Sequence, residues 1–242
     1  MRSRRMLVAT LACAGALPLA AARGQAAAPA DTTASAAPLA PKPAQQSALR
    51  RLAAAFNSTA IARASARDPD RYDDSFRKYS KRYFGVAFDW RYFKAQGLAE
   101  SGLHANARSW VGARGVMQLM PSTFRAIQTH RPELRSIDDP EWNIAAGILH
   151  DRDLWRLWEP TTTDDERHRF MFASYNAGEG TILRACSVAR DARLDQSFWA
   201  SIERVAPTVT RWRYRETLGY VRRIDSTYAR LQSARTPGGR RQ

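Results

Sequence analysis

Cysteine is scarce: the 242 residues hold two, Cys13 and Cys186. Cys13 falls in a leader-like segment, and the single thiol that remains cannot form an internal disulfide. With Ile182, Leu183 and Val188 as neighbours and no histidine arranged beside it, Cys186 is expected to be a small buried hydrophobe. Acid is also short, with Asp+Glu 23 against Lys+Arg 38 and a formal net charge of +15. Such a surface favours anionic partners and says nothing of fold. Lysine occurs only at positions 42, 78, 81 and 94, and the arginines are spread along the chain. This is compositional bias more than a recognition patch, so no nucleic-acid partner is expected. The histidines at 104, 130, 150 and 168 show no H-E-x-x-H or clustered spacing, so neither a metal nor another cofactor is expected. No strand-like alternation of useful length occurs, and no internal repeat; only Gly115 to Met120 could form a short extended piece.

Residues 1–22 have the layout of a secretory signal peptide. Arg2, Arg4 and Arg5 precede an apolar run from Met6 to Leu17, Pro18 breaks it, and Ala20 and Ala22 fit an A-x-A-like cleavage site. The run is short and alanine-rich, where a spanning helix needs about 20 apolar residues. Export to the periplasm or cell envelope is expected ahead of an uncleaved membrane anchor. A lipoprotein is less favoured, because Cys13 lies early in the apolar run and Thr10 stands where a leucine is wanted. Residues 23–46, with Pro29, Pro38, Pro41 and Pro43 among alanines, read as a linker with too little apolar bulk to bury. Residues 47–71 could hold a peripheral helix, 72–232 carry the main domain, and 233–242 read as a disordered tail.

From Tyr72 to Leu231 the dominant period is helical. Phe76, Tyr79 and Tyr83 share one face of a helix that Gly85 ends. Asp89 is a good N-cap for the next, which runs through Phe93 and Leu98 to Glu100 and stops before Gly102. Pro121 and Asp139-Pro140 suit helix starts. The helix after Pro140 carries Trp142, Ala145, Ala146 and Leu149. Thr163 with Glu166 makes a capping-box pattern, and Gly178 and Gly180 interrupt the helix that follows. Leu218, Val221, Ile224, Tyr228 and Leu231 mark a last long helix, with Tyr220 read as lying on the face opposite Val221 and Ile224. The fold class expected is mainly α with at most a small β-hairpin near the site.

Glu100 follows Phe93, Leu98 and Ala99 and precedes Ser101-Gly102. A carboxyl at the lip of an apolar helix loses solvation, and lost solvation raises its pKa. It can then stay protonated near neutral pH and act as a general acid, the chemistry that protonates a glycosidic oxygen.

Glu100-Ser101, then Ser109, then Gly112-Ala113-Arg114-Gly115-Val116-Met117-Gln118-Leu119-Met120-Pro121 with Thr123 resemble the lytic transglycosylase family, whose SLT domain is lysozyme-like (goose-type) and helical. Ala173-Ser174-Tyr175-Asn176-Ala177-Gly178 is similar to the family's A-Y-N-x-G block, and Glu216-Thr217-Leu218-Gly219-Tyr220-Val221 to its E-T-x-x-Y-V block. Phe88–Arg91 and Asn143–Gly147 are also familiar from it. Phe88–Arg91 and the C-terminal block resemble most the catalytic module of the membrane-bound lytic murein transglycosylase F branch. That branch carries an N-terminal solute-binding-like domain, for which the linker leaves no room. Ser174 for alanine and Val116 for leucine are small departures.

The resemblance implies cleavage of the β-1,4 bond between N-acetylmuramic acid and N-acetylglucosamine in peptidoglycan glycan strands. One Glu first protonates the leaving oxygen, then takes the proton of the muramoyl C6 hydroxyl, which closes onto C1 as a 1,6-anhydro product. Standard glycosidases need two carboxylates, but substrate-assisted ones do not. By position, Glu100 would be the acid/base. Ser101 and Ser109 would hydrogen-bond near the carboxyl or the sugar. Gly112 and Gly115 would let the backbone approach the glycan. Met117 and Gln118 would line saccharide subsites, Met117 alternatively being core. Tyr175, Asn176 and Tyr220 would frame Glu100 and bind substrate. A monomer is expected, with cell-wall or secretion-machinery proteins as further partners. Two other readings stand beside this one: a hydrolytic lysozyme, which needs a second carboxylate that the sequence does not reveal, and a non-catalytic wall-binding or secretion-assembly protein.

Overall fold

The structure is a computed structural model and describes residues 70–234. The expectations for residues 1–22, 23–46, 47–69 and 235–242 lie outside the described residues. Among the described residues, eight helices and one 3-10 turn follow one another: α1 Asp73–Phe84, α2 Arg91–Ser101, α3 Pro121–His130, α4 Pro140–Trp158, α5 Asp164–Ala177, α6 Glu179–Asp191, α7 Trp199–Val205, the turn Ala206–Thr208, and α8 Tyr214–Ser233. Among the described residues there is no strand, only isolated bridges pairing Arg108 with Arg114 and Arg114 with Leu119. The short extended piece around Gly115 to Met120 is that small bridged loop.

α2 is the central element. Phe93 through Leu98 are all buried, and the helix packs on α8 and α1. α4 packs on α1 and α5, and α5 on α6 and α8. Burying a large apolar side chain contributes about 1.5–3 kcal/mol, and Phe76, Phe93, Ile144, Trp158, Phe170 and Phe172 are fully buried at the shared seams. Gly97 lets α1 come close: a Cβ there would lie 3.0 Å from the Phe76 ring. A charge buried in this interior needs a partner where water is excluded. Lys94 of α2 forms a buried ion pair with Asp73 of α1.

The helix ends follow local chemistry. Gly85, Gly102 and Gly178 close α1, α2 and α5 with φ of 86°, 63° and 81°, a region that favours glycine. Asp139 caps α4, accepting from the Glu141 and Trp142 amides. The Asp89 carboxylate accepts from the Arg91 amide at 3.0 Å and from the Tyr228 hydroxyl at 3.1 Å. Tyr228 also stacks on Tyr92 at 3.6 Å between ring centroids, joining the start of α2 to the end of α8.

Three expectations change. The capping box before α5 does not form, because Thr163 makes no side-chain cap bond. Glu166 instead accepts from the Trp199 amide at 2.8 Å and pairs with Arg169 at 2.9 Å. Long-range partners outcompete the local motif. Gly180 does not interrupt a helix; it lies inside α6. Tyr220 is not opposite Ile224, since residues four apart share a helix face, and Tyr220, Val221 and Ile224 are all buried. Cys186 is buried as expected, and burial pushes its thiol up to about 11.

Candidate active site

Glu100 is the penultimate residue of α2. The Tyr220 hydroxyl of α8 donates to its Oε1 at 2.6 Å. Burial pushes the Glu100 carboxyl up to about 7, against the Tyr220 hydrogen bond and the positive charge of Arg223, both of which pull it down. Arg223 lies three residues beyond Tyr220 on the same face of α8, so its charge acts on the carboxyl from the side of the Tyr220 hydroxyl. A glutamate with this balance changes protonation near neutral pH, where an acid/base group works best.

The loop between α2 and α3 is held by bonds to the end of α2, to α5 and within itself. Ser101 Oγ donates to the Val116 carbonyl at 2.7 Å. Tyr175 of α5 donates to the Met117 carbonyl at 2.7 Å. Ser109 Oγ accepts from the Ala113 amide at 2.9 Å, closing the turn at Gly112. Gln118, at φ 47°, donates to the carbonyls of Gly115 at 2.9 Å and Ala107 at 3.2 Å. Ser101, Ser109 and Gln118 thus shape the loop, and none of their bonds reaches the Glu100 carboxyl.

Two placements correct the reading by position. Met117 is read by position as lining a saccharide subsite, with core as the alternative; its side chain is fully buried, so the alternative holds. It packs on Gly147 of α4, where a Cβ would lie 2.8 Å from Met117 Cβ and Cγ. Its carbonyl, not its thioether, points to the site. Gly115 was expected to admit the glycan; a Cβ there would instead lie 2.4 Å from Asn143 Nδ2. The missing side chain makes room for the protein's own asparagine.

Asn143 is a residue whose role sequence reasoning missed. It is fully buried, accepts from the Met117 amide at 2.8 Å, and donates to the carbonyls of Arg114 at 3.0 Å and Ile137 at 2.9 Å. A polar residue one turn into α4, facing a glycine in another block, was the available signal. Arg223, Gln96 and Asp151 were missed as well.

Tyr175 is half-buried, and its hydroxyl is pushed well above the usual range by burial, then by the charge of Glu100. The neighbouring Asn176 is exposed and opens onto a cavity of about 270 Å³ that Arg211, Arg213, Glu216 and Thr217 also line. The loop before α3 also presents Trp110 to solvent, 87% exposed. Among the described residues no group of His, Cys, Asp and Glu could hold a metal ion.

The model of the transglycosylase SLT domain family matches residues 76–197, half of the chain. The chain belongs to the transglycosylase SLT domain family. The membrane-bound lytic murein transglycosylase F of Shewanella sediminis is 29% identical over 154 residues, which are 63% of this chain and 30% of that one. Its counterpart in Shewanella woodyi is 30% identical over 150 residues, 61% of this chain and 30% of that one. The chain therefore spans under a third of the length of these SLT-domain relatives. The crystal structure of the 70 kDa soluble lytic transglycosylase of Escherichia coli superposes with a TM-score of 0.54 at 26% identity, over 72% of this chain and 26% of that one. The SLT helical fold is thereby shown. The family match spans Glu100, the bridged loop and Tyr175, while α8, with Tyr220 and Arg223, lies beyond it. No helix among the described residues is long and apolar enough to cross a membrane.

Proposed function

We propose that this chain is an exported lytic transglycosylase that cleaves the β-1,4 bond between N-acetylmuramic acid and N-acetylglucosamine in peptidoglycan. The observation that carries the reading is Glu100: a carboxyl pushed up to about 7, held by the Tyr220 hydroxyl at 2.6 Å. Protonated Glu100 gives its proton to the glycosidic oxygen, and the N-acetylglucosamine hydroxyl leaves. The substrate's 2-acetamido group stabilises the positive charge at C1 of the muramoyl sugar. Glu100, now a carboxylate steadied by Tyr220 and Arg223, takes the C6 hydroxyl proton as O6 closes onto C1. The product is 1,6-anhydro-N-acetylmuramic acid, and Glu100 is protonated again.

Ser101, Ser109 and Gln118 act here by holding the loop backbone that the glycan meets. Asn176 and the Arg211/Arg213 cavity receive neighbouring substrate groups, and the positive charge suits the carboxylates of the peptide stems. The setting is the periplasm or cell envelope, and the acting unit is a monomer. Digestion of purified sacculi tests the reading: wild type yields anhydro-muropeptides, and Glu100→Gln yields none.

A further inference from the structure

A second carboxyl belongs to the same interior. Asn143, Gly147 and Asp151 are spaced by four on α4 and so form one stripe of its surface. Asn143 holds the loop and Gly147 admits Met117. Asp151 meets Gln96 of α2, whose Nε2 donates to Asp151 Oδ1 at 3.2 Å. Both side chains are fully buried. Gln96 is four residues before Glu100 and on the same face of α2.

The bond between Gln96 and Asp151 leaves two acceptors, Asp151 Oδ2 and Gln96 Oε1, buried and without a partner. They belong to the two groups already joined. An ionised Asp151 would leave both oxygens unsatisfied and place a bare charge in the interior, which is strongly disfavoured. One proton on Oδ2 satisfies both, because a neutral carboxylic acid gains an O–H donor.

We propose that Asp151 is a permanently protonated positioning residue for Glu100, its Oδ2–H donating to Gln96 Oε1 while Gln96 Nε2 donates to Oδ1. The two-bond pair clamps the α2 turn beneath the acid to α4. It also keeps the site's charge to one carboxylate, so that Glu100 alone ionises during turnover. Burial holds the Asp151 carboxyl well above its usual range, against the Gln96 hydrogen bond and with help from the charge of Glu100. The other titratable groups around the pair are Tyr175 and Tyr220, both held well above the tyrosine range by burial first and then by the charge of Glu100. Asp151 is thus no water-activating base, which a hydrolytic reading would need. The positioning role rests on the proposed role of Glu100; the protonation does not.

Infrared spectroscopy of Glu100→Gln at about pH 8 tests the proton directly, since an ordinary carboxyl is fully ionised there. The carbonyl stretch of a protonated carboxylic acid is expected, and it disappears when Asp151→Asn is added; a spectrum without that band overturns the proposal. In the same background, urea unfolding compares the chain that keeps Asp151 with the chain that also carries Asp151→Asn, between about pH 5 and pH 8. A carboxyl raised by folding loses stability as pH rises, so the folding constant of the Asp151 chain falls relative to Asp151→Asn by up to about tenfold per pH unit. A ratio independent of pH, or one that moves the other way, contradicts it. Neither measurement needs activity. For positioning, Gln96→Leu in the otherwise native chain is expected to lower kcat by about tenfold or more with KM within about twofold, following loss of a buried polar tie. Unchanged kcat sinks the positioning role. If Gln96→Leu does not fold, Gln96→Leu/Asp151→Leu, which removes both polar groups together, carries the same measurement.

Discussion

The hydroxyl of Tyr220 lies 2.6 Å from Glu100 Oε1, across 120 residues of sequence. Tyr220→Phe removes that donor and leaves the ring. The hydrogen bond favours the carboxylate, so its loss raises the Glu100 pKa. A general acid loses activity as pH rises through its pKa, so the alkaline limb, near pH 7 in the wild type, moves upward. A charge-assisted bond of about 1.5–3 kcal/mol corresponds to a shift of about one to two pH units. Relative to its own maximum, the variant is therefore more active above the wild-type limb than wild type is. A profile of kcat/KM against pH, which reports the groups of the free enzyme, checks the direction.

Arg223→Met takes away the cation that also lowers the Glu100 pKa. The limb moves in the same direction as in Tyr220→Phe. Its shift is the smaller, since the hydrogen bond outweighs the charge. An unmoved limb contradicts that influence of the Arg223 charge.

Glu100 has a cost to folding that should be measurable. Its folded pKa lies above its ordinary value, about 7 against 4.5. The stabilising contribution is therefore complete below pH 4.5 and is lost as pH rises towards 7. Glu100→Gln is expected to exceed wild type in stability by roughly 3 kcal/mol at about pH 8, with the difference closing towards pH 4. Urea midpoints at the two pH values decide it.

The loop scaffold makes a separate prediction. Asn143→Leu strands the Met117 amide and the Arg114 and Ile137 carbonyls, each bonded to it now. A loss of about 3 kcal/mol or more follows from several buried groups left unsatisfied. Gly115→Ala meets Asn143 at 2.4 Å and keeps a φ of 78°. It is expected to lose about 2 kcal/mol, the scale of core overpacking. Thermal and urea unfolding check both.

The helix pattern was legible because its signals are local: Gly85, Gly102, Asp139-Pro140 and the apolar spacing of α8 mark their own elements. The catalytic candidate was legible too, though Tyr220 entered only through a block resemblance, since nothing local ties it to Glu100. Met117 and Gly115 were misplaced because an apolar, glycine-containing stretch beside a glutamate reads alike whether it faces sugar or core. Gln96, Asn143 and Asp151 were passed over for a related reason. A polar residue in a helix is by default a solvent-facing one, and only the packing of α4 on the rest makes these three interior. The failed capping box before α5 shows the converse, a local motif overruled by Trp199 and Arg169.

The most direct test of the account is the product analysis of sacculi digested by wild type beside Glu100→Gln. Mass spectrometry of the wild-type digest should find muropeptides ending in 1,6-anhydro-N-acetylmuramic acid, and the variant digest should contain neither these nor reducing ends. Reducing ends alone from wild type, or full activity in Glu100→Gln, would contradict it.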